Sequence, residues 1–101
     1  MRKWLVKVQA MSRARVAELR YFCLQYGEKR ARGNRHDLAD VAMIESAAAE
    51  ACGGSPLLYD CLMDNVTKET AIHRLNVPMG ARQFYAMRRR FFAILDEKQH
   101  A

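Results

Sequence analysis

No apolar run in this chain approaches the ~20 residues that a membrane-spanning helix needs, so a transmembrane segment is not expected. The start, Met1-Arg2-Lys3-Trp4-Leu5-Val6, begins like a signal peptide, but Lys7 and Gln9 stand where its apolar stretch should continue. The expectation is a soluble, cytoplasmic protein. Cysteine is scarce: Cys23, Cys52 and Cys61 are odd in number and show no Cys-x-x-Cys spacing, which argues against a disulfide framework and a zinc knuckle. They read as small buried hydrophobes in a reducing compartment. Proline occurs only at 56 and 78, and no segment alternates apolar and polar residues long enough to argue for a sheet.

The signs of catalysis are also missing. Gly53-Gly54 lacks the flanking Lys-Ser/Thr of a phosphate loop. His36, His73 and His100 are scattered, without the spacing of a metal site. Asp60 and Asp64 share a helix face, but paired acids without a cleft or partner are usually solvated. No enzyme, metal or cofactor is expected.

What the chain does have is helical patterning and segregated charge. Its 101 residues, half of them hydrophobic, fit one domain with one modest core. Residues 1–36 hold ten Lys/Arg against two acids; residues 37–66 hold six acids and neither Lys nor Arg; residues 67–101 hold seven Lys/Arg against three acids. Two basic ends flank an acidic middle. Either the ends meet a polyanion, or the middle neutralises them within the fold or across a dimer.

The first helix is expected from Ser12 to Tyr26, with Val16, Leu19, Cys23 and Tyr26 on its buried face and Phe22 widening it. Residues 4–10 have the length of a short strand but run into this helix without a turn signal. The basic, glycine-bounded stretch from Gly27 to Arg35 reads as a mobile linker. A second helix from Asp37 to Cys52 would bury Leu38, Val41, Ile44, Ala48 and Cys52 and stop at Gly53-Gly54. Ser55 as N-cap and Pro56 at the first position start a third, to about Asp64, with Leu58, Cys61 and Leu62 inward. Thr67 is read as the N-cap of a short helix over 68–75, followed by the turn Val77-Pro78-Met79-Gly80 and a long helix from Ala81 to Lys98.

The last two helices carry the functional reading. Ile72, Leu75 and Val77 supply an inward face and a buried turn residue; Phe84, Met87, Phe91 and Leu95 recur at 3, 4 and 4 and form the seam of the long helix. Arg82, Gln83, Ala86, Arg89, Arg90 and Ala93 are then read as facing outward. Arg and Gln bond bidentately to guanine and adenine edges in the major groove, so Arg82 and Gln83 are the candidate base readers. Ala86 would let the backbone approach, and Lys68, Arg89 and Arg90 are candidate phosphate contacts. The fold expected is an all-α domain of four or five helices ending in a helix-turn-helix over 67–97. Residues 37–101 form its core, and 1–36 a basic amphipathic helix and linker.

The pattern Leu75-x-Val77-Pro78-x-Gly80-x-x-x-Phe84-Tyr85-x-x-Arg88-Arg89-x-Phe91-Phe92-x-x-Leu95 resembles small helix-turn-helix proteins of phages and prophages of Gram-positive bacteria. The upstream Leu19-Arg20-Tyr21-Phe22-Cys23-Leu24-Gln25-Tyr26 resembles their first helix. Members with assigned roles are similar to late-gene transcription regulators, with a sigma-factor-like C-terminal unit. The resemblance implies a sequence-selective regulator of double-stranded DNA whose groove-facing residues start near Arg82. Such units commonly bind as dimers, and the stripe of the first helix would serve a homodimer. The alternative class is a helical adaptor without specific DNA binding, contacting RNA polymerase or another phage component.

Overall fold

The computed structural model describes residues 11–100. The signal-like start and the stretch 4–10 lie outside the described residues. All regular structure within them is helical: α1 (Arg13–Leu24), α2 (Tyr26–Arg32), α3 (Arg35–Ala51), α4 (Pro56–Lys68) and α5 (Ala81–Gln99), with one 3₁₀ turn at Ile72–Arg74. Among the described residues the all-α expectation holds, with five helices around one core.

Three of the helix starts have side-chain caps. Ser12 Oγ accepts from Arg15 N, Asn34 Oδ1 from Asp37 N and Ser55 Oγ from Leu58 N, each satisfying one of the free amides of a first turn. Pro56 occupies the first turn of α4, where its missing N–H costs nothing.

The core is built on α3 against α5. Ala47, Ala48 and Ala51 are buried on α3, and these small side chains let α5 lie close. Phe84, Met87, Phe91 and Leu95 fill the contact and are essentially fully buried. Burial of such side chains stabilises by roughly 1.5–3 kcal/mol each. Helix α1 lies across α4 and α5, with Leu19 and Cys23 fully buried between them. At its start Arg15 Nε donates to the buried Asp96 on α5 at 2.6 Å, and Arg15 Nη2 to Gln99 at 2.6 Å. The apolar stripe of α1 is therefore covered by its own chain, which removes the argument that it swaps to, or pairs with, a second copy.

The expected mobile linker is instead a helix. Glu28-Lys29-Arg30-Ala31-Arg32 are all good helix formers, and α2 ends only at Gly33, in the left-handed region at φ 65°. Lys29 is buried: Nζ donates to Asp40 at 2.8 Å and sits 4.1 Å from the centroid of the Phe22 ring. Arg32 Nε donates to Asp37 at 2.9 Å. The acidic middle thus neutralises part of the basic end within one fold. Leu38 is another correction. It is 48% exposed and lies off the buried arc of Val41, Ile44 and Ala48.

A larger departure comes at Thr67. It is not an N-cap: α4 runs through it, and Thr67 Oγ1 donates back to the Met63 carbonyl at 2.6 Å. The helix stops at Glu69, the only non-glycine at positive φ (56°) among the described residues. The Asp64 carbonyl accepts from the amides of Glu69 and Thr70, and Asn65 Nδ2 donates to the Thr70 carbonyl at 2.9 Å. The short helix expected over 68–75 is reduced to the 3₁₀ turn. Ile72, Leu75, Val77 and Met79 still pack inward against the core. Chain 69–80 then leads to α5, a longer connection than the tight turn of a helix-turn-helix.

One consequence concerns acid. The hydrogen bond from Arg32 is the main reason that the Asp37 carboxyl is held below its ordinary range; the charge of Arg32 and a bond from Asn34 add to it. A depressed carboxyl stabilises the fold above its unfolded value, near 4, and loses that contribution as pH falls through the lower folded value. Asp37→Asn should therefore melt below the wild type at neutral pH, with the gap closing in acid. Thermal melts from neutrality to about pH 2 check this; a gap of constant size contradicts the assignment.

Candidate nucleic-acid interface

The geometry of α5 decides which residues a polyanion can meet. Its seam is locked into the core over its whole length, so only the opposite arc is free. That arc is widest over the first three turns, because α1 and α3 close over the C-terminal half. Phe92, Ala93 and Asp96 are buried there beside the seam. Ala93, expected to face outward, is fully buried.

Arg82 and Gln83 are exposed in the first turn, and Arg89 is exposed two turns later. Arg82 and Arg89 stand seven residues apart and so share a face. Ala86, between them, is half-buried and leaves the face low. No acid lies in the first turn of α5, and its N-cap Gly80 makes no side-chain hydrogen bond. Lys68 is exposed at the end of α4 with Asp64 at 3.6 Å. Arg90 departs from the expected set. It is half-buried, and Nη2 approaches the Ala51 carbonyl at 3.4 Å, against the C-terminus of α3.

The cations fall into two classes. Lys29, Arg32, Arg15 and Lys98 pair with Asp40, Asp37, Asp96 and Glu50. Arg74, Arg82 and Arg89 have no ion-pair partner among the described residues. These three lie on the 3₁₀ turn and on the open arc of α5; Arg13, Arg30 and Arg35, exposed on α1, α2 and α3, have no ion-pair partner among the described residues either.

Sequence reasoning missed Arg20 and Arg88. Arg88 entered only as part of the Leu75–Leu95 pattern, and Arg20 only as part of the Leu19–Tyr26 stretch. The structure brings both to the wall of one open cleft of about 380 Å³, which α1, the 69–73 segment and α5 enclose. Tyr85, 45% exposed, stands between this cleft and the Arg82–Arg89 face. The spacing of Ala81, Tyr85 and Arg88, four and three residues apart, puts them on one face of α5, but nothing in the sequence brings Arg20 beside them.

The three thiols are buried. Burial pushes Cys23 up to about 12 and Cys52 up to about 11, and raises Cys61 as well, with Asp64 and Asp60 adding to it. Thiols held so high carry little thiolate. Among the described residues no group of His, Cys, Asp and Glu could hold a metal ion, and no helix is long and apolar enough to cross a membrane. Comparison of the chain with protein-family models, with curated proteins and with solved structures gives no match.

Proposed function

We propose that this protein binds double-stranded DNA through the open arc of α5, as a regulator of the kind its sequence resembles. The observation that carries the reading is the open first half of α5, where Arg82 and Arg89 stand exposed on one face, without an ion-pair partner among the described residues and with no acid in the first turn. Arg15, Lys29 and Arg32, by contrast, neutralise acids of this fold. An α-helix fits the major groove of B-DNA, and α5 is rigid because its other face is core. Arg82 and Gln83 are the base readers; Arg89, Arg74 and Lys68 meet phosphates. Arg90 is moved from the phosphate set to the support of α3. RNA polymerase or another protein contacted in place of DNA is the alternative, and salt separates the two. Phosphate neutralisation releases counterions and makes DNA affinity fall steeply with ionic strength.

The test is a salt titration of variants on a selected duplex and on a scrambled one. Arg82→Ala should cost on the order of 1–3 kcal/mol on the preferred site and blur discrimination at one base position. Arg89→Ala should weaken binding to both duplexes alike and shallow the salt dependence by about one ion. Equal losses for both variants on every duplex would show that Arg82 reads no base. No loss for either would transfer the function to a protein partner.

Phe91→Ala is the folding control. Removing a fully buried core aromatic should destabilise by roughly 3–5 kcal/mol and abolish binding through unfolding, visible in thermal melts. Binding that survives this loss of stability would mean that the interface does not depend on the seam of α5.

A further inference from the structure

The cleft beside α5 combines features that its place in the core does not require. Arg20 reaches it from α1 and Arg88 from α5, and Asn65, Glu69, His73 and Tyr85 complete its polar wall. Arg88 is half-buried with its guanidinium 5.3 Å from the Phe92 ring centroid, and its Nε is buried without an acceptor. No carboxylate pairs with it among the described residues. A buried donor in that state is costly unless something satisfies it. Burial, and next the like charge of Arg20, hold the guanidinium below its ordinary range, yet arginine stays charged at neutral pH. Two like charges are thus held near each other at the rim of one cavity.

The only acid on the wall is Glu69. Its Oε1 accepts from Arg20 Nη2 at 3.3 Å, and it is the residue in the left-handed conformation. Arg20 and Glu69 also line a smaller adjoining cleft of about 180 Å³, so their pair forms the partition between the two. This pair is half-exposed on both sides, the kind that contributes little and opens readily. One carboxylate faces two guanidiniums, which leaves the cleft with a net positive charge.

We propose that this cleft is a phosphate-binding site, in which a phosphate group bridges Arg20 and Arg88 and displaces the Glu69 carboxylate from Arg20. Phosphate rather than carboxylate is the fitting anion. Two guanidinium forks, with the Tyr85 hydroxyl and His73 imidazole on the same wall, offer more donors than two carboxylate oxygens can use, and guanidinium forks match phosphate oxygens bidentately. The source is either the backbone of the duplex that α5 reads or a free phosphate. Only the first rests on the DNA reading, and it would draw α1 into the DNA contact through Arg20.

The test uses the full chain and two probes, inorganic phosphate followed by NMR of the arginine Nε–H groups, and duplex DNA followed by fluorescence anisotropy. Phosphate should shift the Arg88 Nε–H resonance saturably. Arg20→Gln should weaken phosphate binding by roughly tenfold, and Glu69→Gln should strengthen it by several-fold. Arg13→Gln, on α1 but outside the cleft, should change nothing. Arg88→Lys keeps the charge while losing the fork, and should also weaken binding; circular dichroism confirms that each variant is folded. If Arg20→Gln and Glu69→Gln move DNA affinity in the same directions, the phosphate is that of the backbone. If they move only phosphate binding, the site stands and its ligand is free phosphate. An Arg88 resonance unmoved by millimolar phosphate overturns the proposal. So does a glutamate-rich peptide that binds the cleft more tightly than phosphate. Failure of the DNA reading shows separately, in wild-type chain that binds phosphate but no duplex.

Discussion

The contact between the seam of α5 and the alanine face of α3 is the constraint on which the rest of the molecule depends. Phe84, Met87, Phe91 and Leu95 occupy one arc of a helix that runs from Ala81 to Gln99, and Ala47, Ala48 and Ala51 give that arc a close, shallow surface to meet. A core of this size has few alternatives, because a small domain buries a smaller share of its surface than a large one. With α5 fixed by this contact, α1 can close over its far end. The buried bridge from Arg15 to Asp96 then sets where α1 lies. The faces left open on α5 follow from what the core has already covered.

Electrostatics acts within that frame. Lys29 is nine-tenths buried and would be costly there without a partner; Asp40 at 2.8 Å and the face of Phe22 make its position tenable. Arg32 does the same for Asp37 at the start of α3, where a carboxylate also meets the favourable end of the helix dipole. These contacts explain why a stretch of polar, glycine-bounded residues is ordered. They also explain why the basic N-terminal third is not simply a tail for a polyanion. Part of its charge is matched inside the molecule, while Arg13, Arg30 and Arg35 stay exposed without an ion-pair partner among the described residues.

The helices with strong local signals were legible in the sequence. Ser55-Pro56 set the start of α4, Gly53-Gly54 ended α3, and the 3-4-4 spacing of Phe84, Met87, Phe91 and Leu95 identified both α5 and its buried face. The failures share a cause. Gly27 and Gly33 suggested a linker, but Lys29 and Arg32 gained partners 11 and 5 residues away on α3, and tertiary pairing outweighed the local breaker signal. Ala93 was assigned to the outer face from periodicity alone, which is blind to a second helix packing on the flank. Of the candidate residues, Arg82, Gln83 and Arg89 stand exposed where the pattern put them, while Arg90 turns to α3. The cleft at Arg20 and Arg88 was not legible, because its two arginines are far apart in the chain and only the fold brings them together.

Glu69 joins these threads. A non-glycine residue in the left-handed region costs roughly 1–2 kcal/mol, and a half-exposed ion pair such as Arg20–Glu69 returns only ~0–1 kcal/mol. The conformation must therefore be held by its neighbours. Asp64 accepts from the Glu69 and Thr70 amides, Asn65 ties down the Thr70 carbonyl, and Ile72 and Leu75 anchor the turn beyond in the core. This small network ends α4, sends the chain across to α5 and sets the Glu69 carboxylate against α1. It replaces the short helix that the sequence pattern suggested. The end of α4, the outer side of α1 and the first turns of α5 therefore meet around this turn, as the wall of one cleft.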